Sequence, residues 1–131
     1  MKIALCQIQS TKDISANLRL LREYTEAAVS KGARLVVFPE ASMVSFGGSL
    51  YDDAAQHELS FRQTLGNLAR EHRVTVVAGG FAPVQLSDEW NLRVHNNLYA
   101  FVILFYYKLF IVFTKYIFFL SYIYNPFVER T

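Results

Sequence analysis

The order of apolar and amphipathic segments in this chain predicts an α/β fold built on a parallel sheet. Three observations carry that prediction. Compact apolar runs stand at residues 2–9, 33–38 and 74–78; helical periodicity occupies the stretches between them; and the first strand, helix and second strand follow one another with short joins. At 131 residues the chain is long enough for one domain with a single core and too short for two ordinary ones.

The first run holds Ile3, Ala4, Leu5, Cys6 and Ile8, so positions of both parities are largely apolar and burial on both faces is expected. Asp13 or Ser15 can cap the helix that follows. Leu18, Leu21, Thr25 and Ala28 share one face of it, with Leu20, Tyr24 and Ala27 alongside, and Lys31 and Gly32 supply a basic last turn and a C′ glycine. The second run is closed by Pro39, which lacks the N–H that a ladder needs. Strand, helix and strand make a βαβ unit with parallel strands and a right-handed crossover. Parallel sheets place ligands at the carboxyl ends of their strands, and Glu40 stands at such an end.

After a Gly47-Gly48 loop, a second helix is expected over about residues 58–72, with Leu59, Leu65, Leu68 and Ala69 on its apolar side. The strand at 74–78 is ended by Gly79 and Gly80, and a polar loop at 85–91 leads into another strand over 94–101.

The formal net charge of +2 comes from interspersed charges of both signs, which excludes the basic patch that nucleic-acid binding needs. One cysteine, Cys6, excludes an intramolecular disulfide and fits a reducing compartment. The opening residues have no secretory pattern, so the cytoplasm is the expected location. His57, His72 and His95 lie on different elements without ligand spacing, so neither metal nor cofactor is expected.

MKIALCQIQS, an amphipathic helix, GARLVVFPEAS, VTVVAGG and RVHNNLYAF follow in this order over residues 1–101. This part of the chain resembles the N-terminal part of the carbon-nitrogen hydrolase family, the nitrilases and aliphatic amidases. The resemblance implies the N-terminal half of a four-layer αββα sandwich. It also implies hydrolysis of a nonpeptide C–N bond in an amide, nitrile or carbamoyl compound by a Glu, a Lys and a Cys. In such a trio a thiol attacks carbon, a carboxylate takes and returns the proton, and an ammonium meets the negative charge that develops on the substrate.

By motif, Glu40 takes the general-base position. For the lysine the tail offers Lys108, in a locally similar Tyr-Tyr-Lys-Leu context that comes several residues early, and Lys115, at nearer the expected distance in a poorer context. No nucleophile is present: Cys6 lies in the first strand, far ahead of the family's position, and reads as a small buried hydrophobe. Asn96 and Asn97 occupy the family's Asn-Thr strand, and a strand-edge hydrogen bond accounts for them equally well. Ser45, Phe46, Gly47 and Gly48 form either a plain turn or a substrate loop.

Residues 102–131 differ in composition from what precedes them: from Val102 to Phe127 there is no Gly, Ala, Asp, Glu, Gln, His or Arg. Three readings compete for this atypical aromatic, apolar tail. A changed coding frame would favour Phe, Tyr, Ile, Leu, Lys and Asn, the products of AT-rich codons. A membrane segment over residues 99–124 is long enough, but each central lysine costs roughly 2.5–3.5 kcal/mol against about 0.3–0.6 returned per large apolar residue, so the sum is near zero. A pair of strands suits the β-branched and aromatic content.

The expected protein is therefore a truncated family member, residues 1–101 plus a divergent tail, inactive alone. Its expected ligand is a small amide or nitrile, with homo-oligomers common in the family. The alternative is a noncatalytic interaction or membrane-associated protein anchored by the tail.

Overall fold

The computed structural model describes residues 1–84, 93–103 and 108–113. Among these residues five strands, β1 (Ile3–Leu5), β2 (Leu35–Val37), β3 (Thr75–Val84), β4 (Arg93–Ile103) and β5 (Lys108–Phe113), form a sheet in that order. Helix α1 (Ile14–Ser30) links β1 to β2, and helix α2 (Leu50–His72) links β2 to β3. The first three strands are parallel; β4 and β5 return antiparallel. The α/β fold class expected from the sequence is the one formed.

Both crossovers step the same way along the sheet, so right-handedness puts both helices on one face. There they pack on each other, and α2 covers β3 and β4. Leu21, Val36, Phe61, Leu65, Leu68, Val76, Ala78 and Tyr99 form the centre of the core there. The other face is less covered. Ile3 is 51% and Leu5 80% exposed, and Leu35, Val37 and Val77 are half-buried. The expectation that β1 is buried on both faces is thus corrected. Alternation turns Ala4 toward the helices and Ile3 and Leu5 away from them, and among the described residues nothing covers that side fully.

Of the two caps open to α1, Asp13 is the one used: its carboxylate accepts the Ala16 N–H at 2.9 Å. Ile14, Asn17, Leu21, Thr25 and Ala28 are the buried positions, while Tyr24 and Ala27 are exposed. The helix closes at Lys31, followed by Gly32 at φ +82°, a conformation open to glycine at little cost.

Helix α2 begins at Leu50, well before residue 58. Ser49 caps it through a bond from the Asp52 N–H at 3.3 Å, and Asp52 and Asp53 sit at the positive end of the dipole. Its buried stripe is Ala54, Phe61, Leu65, Leu68 and Ala69, whereas Leu59, expected on that stripe, is 59% exposed. The positions 61, 65 and 68 set the helical phase, and residue 59 falls outside it.

β3 runs through Gly79 and Gly80 rather than ending there. Its last residues lie beyond Val77, the final partner of β2, which leaves Pro83 without a ladder to interrupt on that side. β4 continues past the compositional break after Phe101 to Ile103, and Lys108–Phe113 of the tail pairs with it as β5. Among the described residues no helix is long and apolar enough to cross a membrane, and residues 99–103 and 108–113 of the segment considered for that role are strand. The rest of the tail lies outside the described residues.

Replacing the fully buried Leu68 by Ala should cost about 2–5 kcal/mol in urea unfolding. Ser49→Ala should cost about 1 kcal/mol. Leu59→Ala should stay within about 0.5 kcal/mol, since its side chain is exposed.

Candidate active site

The turn after β2 is held to β3 by its backbone. Phe38 N–H donates to Val77 O at 2.8 Å, Gly79 N–H to Pro39 O at 3.1 Å, and Ser42 N–H to Gly79 O at 2.9 Å. The Ser42 hydroxyl donates to Pro39 O at 2.6 Å. A Cβ on residue 79 would lie 2.7 Å from the Glu40 Cα and 3.0 Å from Pro39 O, so only glycine permits this approach. Ala41 has φ 55°, in the left-handed region that non-glycine residues seldom occupy, and the bonds on either side of it keep it there. Glu40 is fixed at the end of β2 by these contacts.

Its carboxylate accepts a hydrogen bond at Oε1 from Nδ2 of Asn96, on β4. The register sets Asn96 opposite Phe81 of β3, on the same face of the sheet. Phe81 is buried and meets Phe46 edge to face, ring centroids 5.5 Å apart. Phe46 itself is 60% exposed. An acid, an amide and two aromatic rings therefore share one neighbourhood.

Phe46 belongs to a loop tied to the chain's start. Asn17, fully buried, donates to Thr11 O at 2.8 Å and to Met43 O at 2.9 Å, and its Oδ1 accepts the Thr11 N–H at 2.8 Å. Ser45 N–H donates to Thr11 O at 3.1 Å. The Lys12 ammonium donates to Ser45 O at 2.8 Å and also to Gly47 O. Gly47 and Gly48 have φ +101° and +67°. Sequence reasoning missed the clamp by Asn17; its signal was a polar residue within the apolar stripe of α1.

On the opposite face of β4, Asn97 and Tyr99 turn toward α2. The Tyr99 hydroxyl donates to Glu58 Oε1 at 3.0 Å and accepts from Asn97 Nδ2 at 3.3 Å, and Glu58 pairs with Arg62 at 3.2 Å. Burial, with the Glu58 carboxylate beside it, pushes the Tyr99 phenol up to about 12.

The remaining candidates are not gathered at Glu40. Cys6 follows β1, its N–H bonded to Val37 O at 2.8 Å, and burial pushes its thiol up, which is opposite to what a nucleophile requires. Lys108 opens β5 opposite Ile103, seven positions along β4 from Asn96, or roughly 23 Å at about 3.3 Å per residue. Lys115 lies outside the described residues. Among the described residues no group of three or more His, Cys, Asp or Glu could hold a metal.

Comparison with known proteins decides the family. The model of the carbon-nitrogen hydrolase family matches residues 2–105. The chain belongs to this family. A hydrolase of Mycobacterium tuberculosis is 42% identical over 100 residues, which cover 76% of this chain and 34% of the relative, with the same values in two strains. The chain thus spans about a third of the length of the curated relatives it matches. An amidase from a Nesterenkonia species superposes with a TM-score of 0.63 at 22% identity, covering 78% of this chain and 38% of the amidase. A carbon-nitrogen hydrolase from Helicobacter pylori G27 does so with a TM-score of 0.63 at 17% identity, covering 78% and 35%. These two show a shared fold, the nitrilase-type α/β arrangement over part of the relatives' length.

Two measurements check the geometry of this family member. Gly79→Ala should lower stability by about 1–3 kcal/mol in urea unfolding, because the new methyl group meets backbone rather than a movable side chain. The raised phenol of Tyr99 makes the folded chain hold a proton that the unfolded chain loses at its ordinary value of 10, so stability should fall as pH rises from 10 to about 12. Tyr99→Phe should remove that slope in unfolding followed across this range.

Proposed function

We propose that this chain carries the general-base part of a carbon-nitrogen hydrolase site, with Glu40 as the base, and that it does not hydrolyse substrate by itself. The observation that supports the assignment of Glu40 is the coincidence of three features at one residue. It follows the LVVFP run of a family member, it ends a parallel strand where such sheets bind ligands, and its carboxylate meets Asn96 from another strand.

In the chemistry this implies, a thiol transfers its proton to the Glu40 carboxylate while its sulfur bonds to the substrate carbon. An ammonium stabilises the charge that forms on the carbonyl oxygen or nitrile nitrogen. For an amide, the carboxyl then gives the proton to the departing amine as the C–N bond breaks. The substrate class is a small amide, nitrile or carbamoyl compound.

The proposal of inactivity follows from the nucleophile. Acrylamide has added to an active-site cysteine in one of the Nesterenkonia amidase structures. Here the one cysteine is Cys6, with a thiol pushed up by burial and a position just after β1, ahead of α1 and β2. For the ammonium, Lys108 and Lys115 stay as the proposed candidates, with the register placing the backbone of Lys108 well away from Glu40.

The purified chain and its Glu40→Gln variant should both leave simple amides and nitriles unhydrolysed; turnover by the parent that depends on Glu40 would overturn the inactivity. Glu40 is tested separately in a chimera in which residues 1–101 replace the matching part of the Mycobacterium hydrolase. Glu40→Gln should lower hydrolysis there by about 10²–10⁴-fold. Equal rates would remove Glu40 from the mechanism.

A further inference from the structure

We propose that Asn96 is the positioning residue of Glu40. Its side-chain amide holds Oε1 of the carboxylate and leaves Oε2 as the oxygen that takes and returns the proton. The proposal rests on Glu40 being the base, and it says which atom of that base acts.

Two independent restraints meet at Glu40. The first acts on its backbone: Gly79 lets the Glu40 Cα lie against β3, while the bonds from Gly79 and Ser42 hold the residues on either side. This fixes where the side chain starts but not where it ends, because a glutamate has three further torsions and Glu40 is exposed. The second restraint acts on the far end. Among the described residues, the amide of Asn96 is the group that hydrogen-bonds the carboxylate, from 56 residues away in sequence.

The placement of that amide depends on strand alternation. Asn96 and Asn97 are neighbours in β4 and so point to opposite faces. Asn97 pairs in register with Gly80 and bonds Tyr99 on the α2 side, which obliges Asn96 to stand opposite Phe81 on the Glu40 side. Tyr99 anchors the register through Glu58. A slip of one residue would turn Asn96 to the α2 face of the sheet, away from the acid.

The chemistry of the donor suits the role. A lysine or arginine here would put a full positive charge against the carboxylate and favour its ionised form, which weakens a base. A neutral amide orients one oxygen without that charge and has no proton of its own to exchange in the reaction. Asn96 is half-buried, which favours a held geometry over a freely turning one.

The test is NMR of the purified chain, observing the side-chain NH2 of Asn96 and the carboxyl carbon of Glu40. One of the two Asn96 Nδ2 protons should exchange with water about tenfold or more slower than the other, as for a hydrogen bond to a charged acceptor. Glu40→Ala should abolish the difference, and Asn96→Asp, which keeps the shape and loses the donor, should move the Glu40 carboxyl carbon signal.

Equal exchange of the two protons in the parent, or a Glu40 signal that Asn96→Asp leaves in place, would overturn the proposal. The exchange measurement on the parent needs no variant to fold. It also stands apart from the chimera assay. A protected Asn96 proton with Glu40-independent hydrolysis would count against the base, whereas Glu40-dependent hydrolysis with an unprotected proton would count against Asn96.

Discussion

The close approach of the turn after β2 to the backbone of β3 is the constraint on which the site depends. Residue 79 has no room for a side chain, because the Glu40 Cα and Pro39 O occupy the place its Cβ would take. With that space free, the turn continues the hydrogen bonding of β2 after the strand proper has ended, through Phe38, Gly79 and Ser42. An exposed acid is thereby attached to the backbone of β3, a strand paired on both sides. Gly80 serves the other face in the same manner: a Cβ there would lie 2.6 Å from the ring of Phe61, which is the largest apolar group that α2 inserts beneath the sheet. Two successive glycines let a strand be approached closely from both sides at once.

Polar groups carry as much of the local order as the apolar core does. Asn17 sits on the buried stripe of α1 with its amide fully used, joining the loop before the helix to the loop after β2. Lys12 ties the same two loops from outside. A buried amide left without partners would cost free energy, and here the cost is met by backbone groups of loops that have no ladder of their own. On β4 the Asn96-Asn97 pair divides the work: one amide joins the network of Tyr99, Glu58 and Arg62, the other reaches the acid. Stability and site geometry are thus coupled through a single strand.

Much of the architecture was legible in the sequence because period, caps and breakers are local signals. The periodicity of α1 and its termination by Gly32 required no knowledge of neighbours, and neither did Glu40 after an apolar run and a proline. The departures arise where a neighbour decides. Leu59 looked like part of the apolar stripe, but the phase of α2 is set by Phe61 lying against Gly80 and Tyr99. Gly79 and Gly80 looked like the end of β3, since glycine usually interrupts strands; here they are the means by which other groups approach one. The largely apolar run of β1 predicted burial on both faces, while among the described residues the helices lie on one face of the sheet.

From the sequence alone came the order and type of the elements as far as β4, the family, and the acid at the end of β2, while strands were one of three readings for the tail. These follow from residue type and spacing within short windows, where backbone preference and hydrophobic periodicity act directly. Only the tertiary structure decided what surrounds that acid. Asn96 and Glu40 stand 56 residues apart, and their contact depends on strand order, antiparallel register and the space at Gly79 together. No local signal encodes a meeting of that kind, because it exists only once β2, β3 and β4 lie side by side.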